Sequence, residues 1–134
     1  MAGTYITSAD ITDTVARRFI DATDTRVPEW IERANEQIEM LALKNGVDES
    51  YIQTPVHPVV SDYGRSVFCE QCFLENIGVN NIESPADEKY RIKYGMYVER
   101  IKMLAGQITA QMFDTTVSSL GTEDIIGGNT FWRG

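Results

Sequence analysis

The chain is poor in the residues that most often carry chemistry. It has two cysteines and one histidine in 134 residues, and twelve lysines and arginines against twenty aspartates and glutamates. Two cysteines are too few for the disulfide framework of a small secreted domain. With His57 the only histidine, Cys69 and Cys72 lack the further ligands that a closed zinc site needs. The net charge of −8 argues against a sequence-independent grip on nucleic acid, which runs on cations neutralising phosphates. It leaves room for DNA that passes without being held, because an acidic wall repels phosphate. No apolar run reaches the ~18 residues of a membrane span. The opening Met1-Ala2-Gly3-Thr4 lacks the basic and apolar regions of a signal peptide, so an intracellular, reducing setting is expected.

What is present is a globular, helical pattern. Apolar residues make up 43% and charged residues 24%, a balance that supports a packed core. A single domain of this length buries roughly 65–70% of its unfolded surface, enough to fold without metal or disulfides. The spacing predicts four helices. The first runs from about Ser8 to Phe19, capped by Thr7 or Ser8, with Ile11, Val15 and Phe19 on one face. The second runs from Pro28 to about Lys44, with Ile31, Ala34, Ile38, Leu41 and Ala42 toward the core, Glu32, Glu36 and Glu39 on the other side, and Gly46 as a left-handed stop. Residues 46–57 form a loop, extended around Pro55 and Pro58.

The third helix runs from Pro58 to Ile77, with Gly78 as its stop. It is apolar on more than one side, which places it centrally or between subunits, and Gly64 and Ser66 allow a neighbouring helix to come close. The fourth, Ser84 to Met112, opens on Ser84-x-x-Asp87 and turns Tyr90, Tyr94, Tyr97, Val98, Ile101, Leu104, Ala105 and Ile108 to one side. Its other side carries Lys89, Arg91, Lys93, Arg100 and Lys102. A short connection before it favours antiparallel packing on the third helix. No strand alternation is convincing. The expected architecture is therefore all-α: a four-helix bundle over residues 1–112 and an extended C-terminal arm over 113–134, hinged at Gly127-Gly128 and mobile after about Thr115.

Chemical motifs are few. A redox role for Cys69-x-x-Cys72 needs the first thiol at a helix N-terminus, and here the pair falls deep in the third helix beside Phe68 and Phe73. Core packing is the favoured reading, with metal and redox roles as alternatives. His57 has no nearby nucleophile in the sequence and reads as a loop histidine. Asp10, Asp13, Asp21 and Asp24 lack the spacing of a calcium loop and read as a solvated acidic face. The tyrosines of the fourth helix read as core or subunit contact ahead of base stacking. No catalytic residue, cofactor or metal site is expected. A helical body with an aromatic tail fits a part of a larger assembly better than an enzyme with a cleft. Lys89, Lys93 and Arg100 could meet Glu32 and Glu36 of a neighbouring copy through opposite charges.

These residues resemble one family. Tyr5-Ile6-Thr7-Ser8-Ala9-Asp10-Ile11, followed by Arg17-Arg18-Phe19, looks like the start of the small head–tail connector (adaptor) proteins of tailed bacteriophages, including the Mu-like group. Trp30-Ile31 to Glu39-Met40-Leu41, the proline-started helix from Pro58 to Ile77, and Glu99-Arg100-Ile101-Lys102-x-Leu104-x-Gly106-x-Ile108 resemble the later helices of that family, in order, over about residues 4–112. Gln53-Thr54-Pro55-Val56 replaces the Tyr/Leu-Pro-Leu run often seen there, and the CxxC is not a family feature. The resemblance implies a virion structural protein, assembled in the host cytoplasm as a ring, commonly a dodecamer, beneath the portal. The ring extends the DNA channel and joins the next neck component, a stopper or tail-terminator. It also implies that the C-terminal arm docks on the portal, with Ile125, Ile126, Phe131, Trp132 and Arg133 as contacts. Exposed aromatic surface of that kind is costly to leave in water. The alternatives are another neck or tail-completion protein, a small helical partner-binding regulator or chaperone, and a thiol or metal enzyme resting on the CxxC.

Overall fold

The computed structural model describes residues 3–77 and 85–117. Its regular structure is all helical, with no strand among the described residues: α1 Thr14–Asp21, α2 Val27–Lys44, α3 Pro58–Asn76, α4 Pro85–Gln107 and a single turn, α5, Ala110–Phe113. Two 3-10 turns, Ser8–Asp10 and Glu49–Tyr51, punctuate the connections.

The first helix begins later than the apolar spacing suggests. Thr7 opens the Ser8–Asp10 turn in a capping box, and the chain then extends through Ile11 before Asp13 caps α1. The Asp13 carboxylate accepts from the Val15 and Ala16 N–H groups at 2.9 and 3.0 Å. Ile11 is still buried, but from an extended segment. The helical spacing of Ile11, Val15 and Phe19 therefore spans a break.

Helix α2 matches its expected limits closely, with proline in its first turn and Gly46 at φ +82° two residues past its end. Its buried side carries Trp30, Ala34, Ile38, Leu41 and Ala42. The N-terminal segment is strapped along it. Asn35, itself buried, accepts from the Tyr5 and Ile6 N–H groups at 3.0 Å each and donates to the Ile6 carbonyl. Glu39 accepts from the Tyr5 hydroxyl at 2.6 Å.

Helix α3 is the centre of the body. It packs on both α2 and α4, whereas α2 and α4 have little direct contact. Trp30 meets Phe68 edge to face at 5.7 Å, while Tyr90 and Tyr97 stack on Phe73 at 5.9 and 6.0 Å. Arg26 reaches Asn76, and Ile38 lies against Gly64. Arg100 pairs with Asp62, so α3 runs antiparallel to both neighbours. A Cβ at Gly64 would lie 2.8 Å from Ile38 Cδ1 and 3.2 Å from Ile6 Cγ2, so a side chain there would have to displace both isoleucines. Phe19 of α1 closes the corner, touching Trp30 and Tyr90.

Helix α4 ends at Gln107, short of the expected Met112; Ile108 and Thr109 break the helix before α5. The packed body nevertheless continues beyond the expected boundary at 112. Phe113 is 1% exposed, and its carbonyl accepts from the Gln53 N–H at 2.8 Å. Thr115 donates to the Gln53 side chain, and Asp114 accepts from Thr116. The loop around Gln53 thus finds its hydrogen-bond partners in Phe113, Asp114 and Thr115, at the start of the segment expected to be the arm. Gly78, Ser84, the Gly127-Gly128 hinge and all five arm contacts, Ile125 to Arg133, lie outside the described residues.

Candidate functional site

Charged groups converge where α1, α3 and α4 meet. A cleft of about 460 Å³ opens there, bordered by Asp13, Asp62, Arg65, Cys69, Tyr97 and Arg100, with Met96 and Met103 at its margins. The sequence reading anticipated no cleft. It arises because α4 touches α3 through aromatic rings at one end and through long charged side chains at the other.

Asp13 is the pivot. One carboxylate oxygen caps α1; the other accepts from Lys93 Nζ at 2.9 Å and from the Tyr97 hydroxyl at 2.6 Å. Its side chain is only 5% exposed. Burial alone would raise its pKa, but hydrogen bonds from Tyr97, Lys93 and the Ala16 N–H outweigh that and hold it below the ordinary carboxylate value. Burial, and then the bond to Asp13, push the Tyr97 phenol up. Asp13 is thus a carboxylate with each oxygen doubly engaged, and Lys93 is bound to its own chain.

The second pair lies toward the other end of α4. Arg100 binds Asp62 through Nη2, and Arg65 approaches the same carboxylate at 3.7 Å. The remaining carboxylates of the expected acidic face are also engaged locally. Asp10 accepts from the Thr7 N–H, Asp21 pairs with Arg17, and Asp24 pairs with Arg26 at 2.8 Å. The hydrogen bonds from Arg26 hold Asp24 down to about 2. Each of the four aspartates thus has a partner of its own within the chain. The break after Asp10 and the turn after Asp21 set each to a separate capping or pairing task.

Cys69 and Cys72 are free and buried. Burial, reinforced by Asp13, pushes the Cys69 thiol up to about 12, and burial raises Cys72 as well. Both are thiols at neutral pH, the opposite of the activated state that redox chemistry needs. Among the described residues no group of three His, Cys, Asp or Glu could hold a metal ion. His57 caps α3, its Nδ1 accepting from the Val59 N–H at 3.1 Å. The groups bordering the cleft hold helices together; none supplies a free base beside a nucleophile.

The suggested inter-subunit residues divide. Lys93 and Arg100 each pair with a carboxylate of the same chain, Asp13 and Asp62, because long side chains at the helix edge reach across to α1 and α3. Glu36 and Lys89 remain on exposed faces. Glu32 is half-buried on α2. The sequence reading missed what surrounds them, the exposed apolar side chains Met40, Leu43, Ile92, Met96 and Met103. The signal was available, since these residues fall outside the core-facing stripes.

No family model, curated protein or solved structure matches the chain.

Proposed function

We propose that the chain is a structural head–tail connector (adaptor) of a tailed phage, assembling as a ring under the portal, extending the DNA channel and joining head to neck. The observation that carries this reading is the ordered series of resembling segments from Tyr5 to Ile108, lying in a chain whose described residues form an all-helical body. In this reading α1 to α4 form a four-helix bundle. The C-terminal segment 113–134, held to the body at Phe113, is the arm that meets the portal through Ile125, Ile126, Phe131, Trp132 and Arg133, and the net charge of −8 makes a lumen through which DNA passes without specific binding. The exposed apolar faces of α2 and α4 suit a protein that works among neighbours. They would also suit a helical regulator that captures a partner protein, the second reading.

Deleting Gly127 to Gly134 and measuring incorporation into portal-bearing heads tests the proposal. The expected result is a folded body that no longer enters heads. Wild-type incorporation of the truncated chain would remove the arm as anchor. A full chain that binds neither portal nor heads would leave the regulator reading in its place.

A further inference from the structure

Asn45 alone among the chain's asparagines precedes a glycine. That dipeptide carries a chemistry of its own. The Gly46 amide nitrogen can attack the carbonyl carbon of the Asn45 side chain. The new C–N bond closes a cyclic imide, and the Asn45 amide nitrogen leaves as ammonia, taking the proton that Gly46 gives up. Water then opens the imide at either carbonyl. One opening gives aspartate. The other gives isoaspartate, in which the backbone runs through the side-chain carbons. Glycine favours closure because no Cβ shields its nitrogen and its backbone turns freely.

In the fold this dipeptide is the stop of α2. Gly46 takes φ +82°, and its N–H donates to the Leu43 carbonyl at 2.9 Å, while the Val47 N–H donates to the Ala42 carbonyl at 2.9 Å. These two bonds close a helix end with glycine in the left-handed position. The Asn45 side-chain amide donates to the Leu41 carbonyl, also at 2.9 Å. The attacking nitrogen and the amide it must reach are thus committed to different carbonyls of the last helical turn. Val47 pins the arrangement, being 3% exposed within the core. Water is not excluded, since Asn45 is half-buried and Gly46 exposed.

We propose that Asn45-Gly46 is a deamidation site gated by opening of the α2 stop, with water as its only co-reactant. Imide closure requires both commitments to be released, so the rate follows the fraction of time that the last turn is frayed. The product cannot restore what it replaced. A carboxylate at position 45 has no donor for the Leu41 carbonyl, and it sits at the negative end of the helix dipole. Asp48 and Glu49, which follow closely, add like charge. Isoaspartate also lengthens the backbone between α2 and Val47, out of register with the two closing bonds. Modification therefore weakens the stop that slowed it, and the change runs one way. The proposal stands apart from the adaptor reading.

Ageing the whole chain in mildly alkaline buffer, with peptide mass mapping and isoaspartate detection, tests this. Asn45 should be modified at least about tenfold more slowly in the folded chain than in the same chain held unfolded in urea. Val47→Ala should raise the folded rate several-fold and leave the rate in urea unchanged. Gly64→Ala, which loosens the body away from this turn, should raise it less. Asn45→Asp, which makes one of the two products directly, should lower the urea midpoint. Equal rates in the folded and unfolded chains would overturn the gating. Equal acceleration by Gly64→Ala and Val47→Ala would also overturn it, assigning the reaction to global unfolding. An Asn45→Asp chain as stable as the wild type would remove the claim that the product weakens the stop. If Asn45 reacts in urea but stays intact in the folded Val47→Ala chain, the folded protein has no such site.

Discussion

Replacing Asp13 should destabilise the body more than any other single carboxylate change. Its side chain caps α1 and also binds Lys93 and Tyr97 of α4, with 5% of its surface exposed. Loss of the cap costs about 1 kcal/mol. Hydrogen bonds to a charged acceptor contribute about 1.5–3 kcal/mol, but Lys93 is 26% exposed, so water recovers part of its share. Asp13→Ala should therefore cost about 3 kcal/mol of the roughly 5–15 kcal/mol typical of a domain. With a urea slope of about 2 kcal/mol per M, the unfolding midpoint falls by about 1.5 M. Asp13→Asn keeps a capping oxygen and loses the charge, and should cost about 1–2 kcal/mol. The pH dependence follows from the depressed pKa. The native carboxylate releases its proton more readily than the unfolded one, so its stabilisation is complete above the unfolded value. It fades as pH falls through the folded value. The gap between wild type and Asp13→Asn should be constant above about pH 5 and shrink below about pH 4. A cost for Asp13→Ala under about 0.5 kcal/mol, or a gap that widens on acidification, would refute the account of Asp13 as the α1–α4 tie.

Asn35→Ala leaves the Tyr5 and Ile6 N–H groups without the partner they have here, and should cost about 2–4 kcal/mol, read by urea unfolding, with those two amides losing exchange protection first. Gly64→Ala should cost about 1–3 kcal/mol by the same measurement, because its methyl group meets Ile38 and Ile6. Gly95→Ala should instead stabilise the chain by up to about 1 kcal/mol in urea unfolding, since its methyl group meets nothing within 4 Å. The double change Cys69→Ala and Cys72→Ala should cost about 1–3 kcal/mol and leave assembly intact. The native thiols should react with a thiol reagent only as fast as the body opens, since burial keeps both protonated.

The parts of this fold that were legible in the sequence are those fixed by neighbouring residues. The proline start and Gly46 stop of α2 and the dense apolar surface of α3 depend on local geometry and composition, and both were read closely. The break at Ile11–Asp13 was hidden because Ile11 keeps the helical interval while sitting in an extended segment. Asp13-Thr14 is a serviceable cap signal, but Thr7-x-x-Asp10 upstream is one too, and the chain uses both. The ends of α4 and of the body were misplaced for a related reason. Ile108 continues the apolar interval past the end of α4, and the partner that fixes Phe113 to Thr115 is Gln53, some sixty residues away.

Helix α4 exposes a further difficulty. Its apolar residues point more than one way: Tyr90, Tyr97 and Leu104 toward α3, Ile92 outward, and Met96 and Met103 to the margin of the cleft between α3 and α4. Its positive charges divide too, with Lys93 and Arg100 reaching carboxylates of the same chain and Lys89 and Lys102 left on the exposed side. A periodicity reading looks for one apolar face and one polar face, so it pooled the five basic residues as a single outer surface. The structure sorts them by reach. Those at the helix edge close the α1–α3–α4 junction, and those beyond it border an apolar line that the described part of the chain leaves uncovered. A helix apolar on two sides has room for two neighbours, and α3 supplies only one of them.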